Sequence, residues 1–283
     1  MTERIQRYRE GRSFLDAARP FLLRAEASHN LILGMAPGIS EASQQGTGRP
    51  YLATVQVGSE TIGCAARTPP HKLVITALPA AAIDALVSDV AQFYGSMPGV
   101  FGPEPVAPLF AERWRARTDD AVHRGMSNRI YEIERVRPAS RKAPGKMRLA
   151  QAADRDLVTA WIAAFYSEAA PPDRVHPAEL AAERIDRASL FLWEDDAQPV
   201  SMASWSGKTP NGARINLVYT PPQFRSRAYA SACVRALTSQ LLTQGNRFCF
   251  LFADPENPAS NRIYQRIGYR SVCDMTHYEF SRR

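Results

Sequence analysis

The chain has 283 residues, of which 45% are hydrophobic and 22% charged, a globular composition that excludes a disordered or fibrous protein and allows two domains with sizeable cores. No apolar run reaches the roughly 18 residues that a transmembrane helix needs, and the polar start over 1–14 lacks the apolar stretch of a secretory signal, so the expected compartment is the cytoplasm and no membrane partner is expected. A net charge of +7 admits nucleic acid or an anionic small ligand as partner, and the distribution of that charge must decide between them.

In chain order, apolar spacing predicts a helix over roughly 13–28, strands at 51–58, 61–67 and 71–78, and a helix over 79–95. A further helix is expected at 105–118 and a strand at 127–136. Residues 135–148 then hold six basic residues and no acidic one, punctuated by Pro138, Pro144 and Gly145. This reads as a solvated linker, centred on 139–146. No aromatic residue interrupts it, so it offers no base-stacking platform and nucleic acid is not the expected partner.

Beyond the linker, 147–151 reads as a short strand. Asp154 is placed to cap a helix over 157–169, and a second helix follows near 177–187. Strands at 189–195, 199–207 and 213–220, joined by short polar turns, form an antiparallel meander. Pro221 and Pro222 stop the third. A helix from about residue 227 to 244, with Ala230, Val234, Leu237 and Leu241 on one face, ends at Gly245. The near-continuous apolar run 246–254 predicts a strand buried on both faces. A short helix at 257–267 ends at Gly268, and 269–280 has strand character. The two halves share an order of elements. The expected class is therefore α/β (α+β), with two modules, 1–138 and 147–283, each a mixed, mostly antiparallel sheet flanked by helices.

The segment richest in chemistry is the strand 213–220, the Pro-Pro break and the sequence Arg225-Ser226-Arg227-Ala228-Tyr229-Ala230. A strand running into a helix whose first turn has small side chains presents free N–H groups to an anion, reinforced by the helix dipole. Arg225 and Arg227 supply cations. The same pattern also suits a capped surface helix with two solvated arginines. The four cysteines form no C-x-x-C pair and the five histidines are scattered, so neither a metal site nor a disulfide framework is expected.

The half 147–283 resembles the GCN5-related N-acetyltransferase (GNAT) family. The loop Arg225–Ala230 is similar to the family's Q/R-x-x-G-x-G/A pattern, with Ala228 where glycine is usual. The sequence 257–269 is similar to a second signature, with Asn257, Tyr264 and Gly268 at matching spacings and Tyr269 in place of phenylalanine. If Ala228 has helical torsions, its methyl group is accommodated without strain.

The resemblance implies acetyl transfer from acetyl-CoA, as co-substrate, to a primary amine of a small molecule, amino acid or peptide. It implies direct attack, with no metal. Backbone groups of Leu217, Val218 and Tyr219 would hold the pantetheine arm, and an N–H near Val218 would polarise the thioester carbonyl. The loop Arg225, Ser226, Arg227, Ala228, Tyr229 and Ala230 would hold the pyrophosphate. Tyr264 would protonate the departing sulfur, and Asn257 and Asn261 would bind the arm or order the loop before the last helix. The residues themselves leave alternatives: Tyr264 as a core residue, Asn257 as a helix cap. Trp193 and Trp205 read as core packing. No general base stands out; Asn216 is a poor proton acceptor and Glu168 is either near the acceptor or in a solvated loop. The first module resembles a degenerate copy, since ALPAAAID at 77–84 has no basic residue and no matching loop. A catalytically lapsed CoA sensor is the competing reading, and a homodimer is left open.

Overall fold

The computed structural model describes residues 3–40, 48–139, 142–169 and 175–282. Their contacts resolve two units, Met1–Ile130 with Val272–Arg283, and Tyr131–Ser271. The expected linker at 139–146 is therefore not where the division falls. Residues 140 and 141 of it lie outside the described residues, and Lys146 already opens a strand.

The first unit contains β1 (Glu3–Tyr8), α1 (Gly11–Leu22), α2 (Asn30–Met35), β2 (Tyr51–Val57), β3 (Glu60–Arg67), β4 (Leu73–Ile75), α3 (Ala80–Tyr94), β5 (Gly99–Pro103), α4 (Ala107–Thr118) and most of β6 (Ala121–Ile133). It is completed by most of β12 (Arg270–Ser281), and its strand order is β1, β2, β3, β4, β5, β12, β6. β4 and β5 pair in parallel, while β5 and β12 pair antiparallel from Glu279↔Gly99 to Met275↔Pro103. Leu73, Ile75, Leu86, Val90, Phe110 and Trp114 form its core, with Trp114 stacked on Phe280 and its indole N–H donated to Asp120. That stacking gives a physical reason for β12 to count with this unit: its inward-facing aromatic belongs to this core.

The second unit runs through β7 (Lys146–Leu149), α5 (Arg155–Ala169), α6 (Pro177–Asp186), β8 (Leu190–Asp195), β9 (Gln198–Ser206), β10 (Gly212–Tyr219), α7 (Tyr229–Thr243), β11 (Phe248–Ala253) and α8 (Pro258–Ile267). Its strand order is β11, β10, β9, β8, β7, with the end of β6 flanking β11. β7, β8, β9 and β10 pair antiparallel, as the meander predicts, and β10 and β11 are parallel.

Two apolar layers cover the sheet of this unit. Ala213, Ile215, Leu251 and Ala253 pack with Val234 and Leu237 of α7. Leu192, Met202, Leu217 and Tyr219 pack with Val158, Trp161 and Ile162 of α5 and Ala181 of α6. Asp154 does not cap α5. It closes the preceding 3-10 turn, accepting the Gln151 N–H at 2.8 Å and Arg148 at 2.7 and 2.9 Å. Arg148 also reaches Glu194 at 2.8 Å, which clamps β7 at the sheet edge. Gly268 ends α8 at φ +118, where a side chain would be strained.

No helix among the described residues is long and apolar enough to cross a membrane. All four cysteines are free. Burial pushes the thiols of Cys233 and Cys249 up to about 12, so they behave as small apolar groups.

Candidate active site

β10 and β11 pair over only four residues, from Gly212↔Phe248 to Ile215↔Leu251, although both strands continue. Past Ile215 the register of β10 on β9 shifts between Asn216 and Tyr219, a bulge, and Leu217 adopts φ +48. The bulge reverses the alternation of side chains. Ile215 faces α7, yet Leu217 and Tyr219 face α5 and α6. Beyond it, the β11-facing edge of residues 216–219 is free of ladder partners. The placement of Leu217, Val218 and Tyr219 thus suits an extended ligand arm, through backbone rather than side chains.

The chain then turns through Pro222–Phe224 into the loop before α7. Arg225 is extended, Ser226 has φ +62 and Ala228 has φ +67. Such alternation of backbone hand turns successive N–H groups towards one side and makes an anion-binding nest. The first helical bond of α7 is Ala232 N–H to the Ala228 carbonyl at 2.9 Å, so the N–H groups of Tyr229, Ala230 and Ser231 precede the helical ladder. The condition under which the Ala228 methyl group would sit without strain, helical torsions, is not met. Ala228 is left-handed, the conformation that favours glycine, and its methyl group costs about 1–2 kcal/mol of backbone strain.

These elements line a cavity of about 730 Å³, a size suited to a cofactor-sized ligand. Val218, Tyr219, Arg225, Ser226, Ala228, Tyr229, Ala230, Asn257 and Tyr264 all contribute to its wall. Three of the expected residues do not. Leu217 is buried against α5 and α6. Arg227 is exposed and does not line the cavity. Asn261 is buried, its amide N–H groups given to the carbonyls of Asp254, Pro255 and Asn257 and its oxygen taken by the Tyr131 hydroxyl at 2.9 Å. With its hydrogen-bonding capacity spent on the loop before α8, Asn261 braces that loop rather than binding a ligand. The Tyr229 ring is buried and its hydroxyl donates to Asp195, so its contribution is the backbone. Asn257 caps α8 by accepting the Ser260 N–H at 3.1 Å.

Sequence reasoning missed Arg235 on α7 and Arg262 and Arg266 on α8, which also line the cavity. The four-residue spacing of Arg262 and Arg266 places both on one helix face, a legible signal; Arg235, two turns into α7, has none. Of the four cavity arginines only Arg225 meets a carboxylate, Glu168, among the described residues. Glu168 lies in the last turn of α5, not in a loop, and it also accepts the Tyr219 hydroxyl at 3.3 Å. Both its oxygens are engaged, so it holds Tyr219 and Arg225 in place.

Tyr264 is nearly buried between the rings of Tyr131 and Tyr269, with centroids 6.1 and 5.9 Å away. Its hydroxyl has no hydrogen-bond partner among the described residues, although its side chain reaches the cavity. Burial pushes its pKa up to about 12, which keeps the hydroxyl protonated. The site therefore combines an anion nest, uncompensated cations, a gap between parallel strands and one protonated phenol.

Residues 194–280 match the family of FR47-like proteins. No curated protein matches the chain in sequence. A Drosophila protein superposes over 98% of both chains with a TM-score of 0.67 at 10% identity. A GCN5-related N-acetyltransferase from Sphaerobacter thermophilus covers 99% of this chain and 96% of its own, at 0.59 and 16%. A GNAT-family acetyltransferase from Colwellia psychrerythraea covers 98% of this chain and all of its own, at 0.58 and 13%. The chain thus has the fold of the GNAT acetyltransferases, and within it residues 194–280 match FR47-like proteins.

Proposed function

We propose that the unit 131–271 transfers an acetyl group from acetyl-CoA to a primary amine, and that the first unit holds no acetyl-CoA of its own. The observation that carries this reading is the conjunction of the Ser226–Ala228 nest with the interrupted β10–β11 pairing on one cavity. The nest N–H groups and Arg225 would bind the diphosphate, and Arg235, Arg262 and Arg266 suit the remaining phosphate charge. The free backbone edge of residues 216–219 would hold the amide-rich arm, with the Val218 N–H donating to the thioester oxygen as charge builds on it.

The bound thioester supplies the electrophile. The acceptor nitrogen attacks its carbonyl carbon, the C–N bond forms, and the C–S bond breaks with its electron pair leaving on sulfur. Tyr264 donates a proton to that sulfur and regains one from solvent, while the proton lost by the amine passes to water. Burial raises a thiolate's basicity as it raises the phenol's pKa, so the two stay matched in the same dry site. Glu168 orients Tyr219 and Arg225 and takes no proton. No cysteine or histidine is needed for a covalent intermediate; the buried thiols of Cys233 and Cys249 are poor nucleophiles. An acceptor in the cytoplasm, small molecule or peptide, completes the reading.

A second reading, a CoA sensor without turnover, is favoured by the strained Ala228 alone. Calorimetric titration with acetyl-CoA and a thiol-release assay over an amine panel test both. Binding with turnover is expected; binding without turnover on any amine selects the sensor, and absence of binding removes both.

A further inference from the structure

On the α5 and α6 side of the second unit's sheet, two arginines form no ion pair among the described residues. Arg214 on β10 and Arg184 on α6 each have a fully buried Nε with no hydrogen-bond partner. Neither guanidinium meets a carboxylate among the described residues. Glu183, next to Arg184, is bonded at 3.1 Å to Arg187 instead. Arg214 makes one long contact, 3.5 Å to the Ser206 hydroxyl. Beside it, Asn216 donates its amide N–H to Ser206, which leaves Asn216 Oδ1 buried and unpaired.

The placement is specific. Ala213 and Ile215 point to α7, so Arg214 and Asn216 point to the side of α5 and α6, and neither lines the nest cavity. The Arg214 guanidinium lies over Gly207, where a Cβ would touch it at 3.4–3.5 Å, and 6.0 Å from the ring of Phe252, a residue past the last β10–β11 pair. Asn216 is the first residue of β10 beyond that pairing. Burial lowers the pKa of both arginines, and Arg184 adds to the effect at Arg214. Buried, unpaired charge is strongly destabilising, and an arriving anion would relieve it.

We infer that the acceptor is an amino acid, its carboxylate bound by the guanidinium groups of Arg184 and Arg214 and an N–H of its amine accepted by Asn216 Oδ1. In an α-amino acid the amine lies two bonds from the carboxylate carbon. A carboxylate held at Arg214 therefore sets the nitrogen beside the strand gap that opens one residue after Ile215. Paired guanidinium groups suit a planar two-oxygen anion. This rests on the acetyltransferase reading, because that reading puts the thioester carbonyl in the gap.

The test titrates the full chain, saturated with CoA, with the common amino acids and with their carboxamides, by calorimetry. At least one free acid is expected to bind ten-fold or more tightly than its amide. Arg214→Gln and Arg184→Gln should each abolish that preference and leave acetyl-CoA affinity unchanged. Arg214→Gln should also raise the melting temperature of the unliganded protein, because it removes a buried charge. Equal binding of acids and amides, or no bound acid, overturns the inference while acetyl-CoA binding still stands. Loss of acetyl-CoA binding by the unmodified protein overturns the underlying reading instead.

Discussion

The two units pass from a parallel-paired strand into a helix in different ways. In the first, the chain leaves β4 and enters α3 through residues 76–79, none of which has positive φ, with Pro79 as the N-cap. No basic residue lies between Ile75 and Asp84. In the second, the chain leaves β10 through a bulge and enters α7 through Ser226 and Ala228, both left-handed, with Arg225 beside them. The order of elements is shared, yet only the second junction turns its N–H groups inward and flanks them with cations. A strand followed by a helix is therefore not enough for an anion site. The backbone hand in the loop decides.

The sharpest way to break this contrast is Ser226→Pro. Proline removes the N–H and fixes φ near the opposite sign, so the KM for acetyl-CoA should rise on the order of 100-fold. Leu86→Ala is its counterpart in the first unit. Leu86 is fully buried on α3, and its truncation should lower stability by about 2–5 kcal/mol in chemical denaturation. The KM for acetyl-CoA of the folded protein should stay within about two-fold, since α3 is core and not ligand site. A large rise in KM would mean that the first junction also serves the cofactor.

Tyr264→Phe sharpens the contrast at the chemical step. Turnover should fall about 100-fold with the KM for acetyl-CoA nearly unchanged, the size expected for loss of a positioned acid. Because burial raises the Tyr264 pKa to about 12, its proton is retained through neutral and mildly alkaline pH. kcat should show no descending limb from this group until pH approaches 12, and a limb near pH 9 that vanishes in Tyr264→Phe would contradict the assignment. The same shift bears on stability: the folded pKa lies above the free phenol's, so the contribution is whole below pH about 10 and lost as pH rises towards the folded value.

The smallest expected effect is Ala228→Gly. Relief of left-handed strain, about 1–2 kcal/mol, is offset in part by about 0.4–1 kcal/mol of added unfolded-state entropy, so stability rises slightly. Affinity for acetyl-CoA should improve a few-fold as the methyl group leaves the nest. Weaker binding in this variant would show that the methyl group contacts the ligand favourably.

Much of the second unit was legible. The β8–β9–β10 meander, α7 up to its glycine and the buried β11 follow from alternation, apolar runs and turn residues. In the first unit β1, α2 and β5 escaped. The glycines of β5 answer to neighbours: a Cβ at Gly102 would lie 2.5 Å from Ile75, and one at Gly99 2.0 Å from the Tyr278 carbonyl. Local composition cannot announce contacts with distant strands. The same holds for Arg227, which lies in the loop pattern yet whose side chain does not line the cavity, and for the choice between the two roles expected of Asn261, which its bonds to the loop before α8 favour as a brace.

By itself, the sequence determined the elements of the second unit, most of those of the first and the residues of the two signatures, because periodicity and turn chemistry are local. The tertiary structure alone decided that β12 counts with the first unit, that Ala228 is left-handed and that Arg235, Arg262 and Arg266 share a cavity with Tyr264. It also brought Arg184 close enough to Arg214 to act on its charge and left the Nε of each without a hydrogen bond. Each of these depends on which segments pack together, and packing is a property of the whole chain rather than of any window within it.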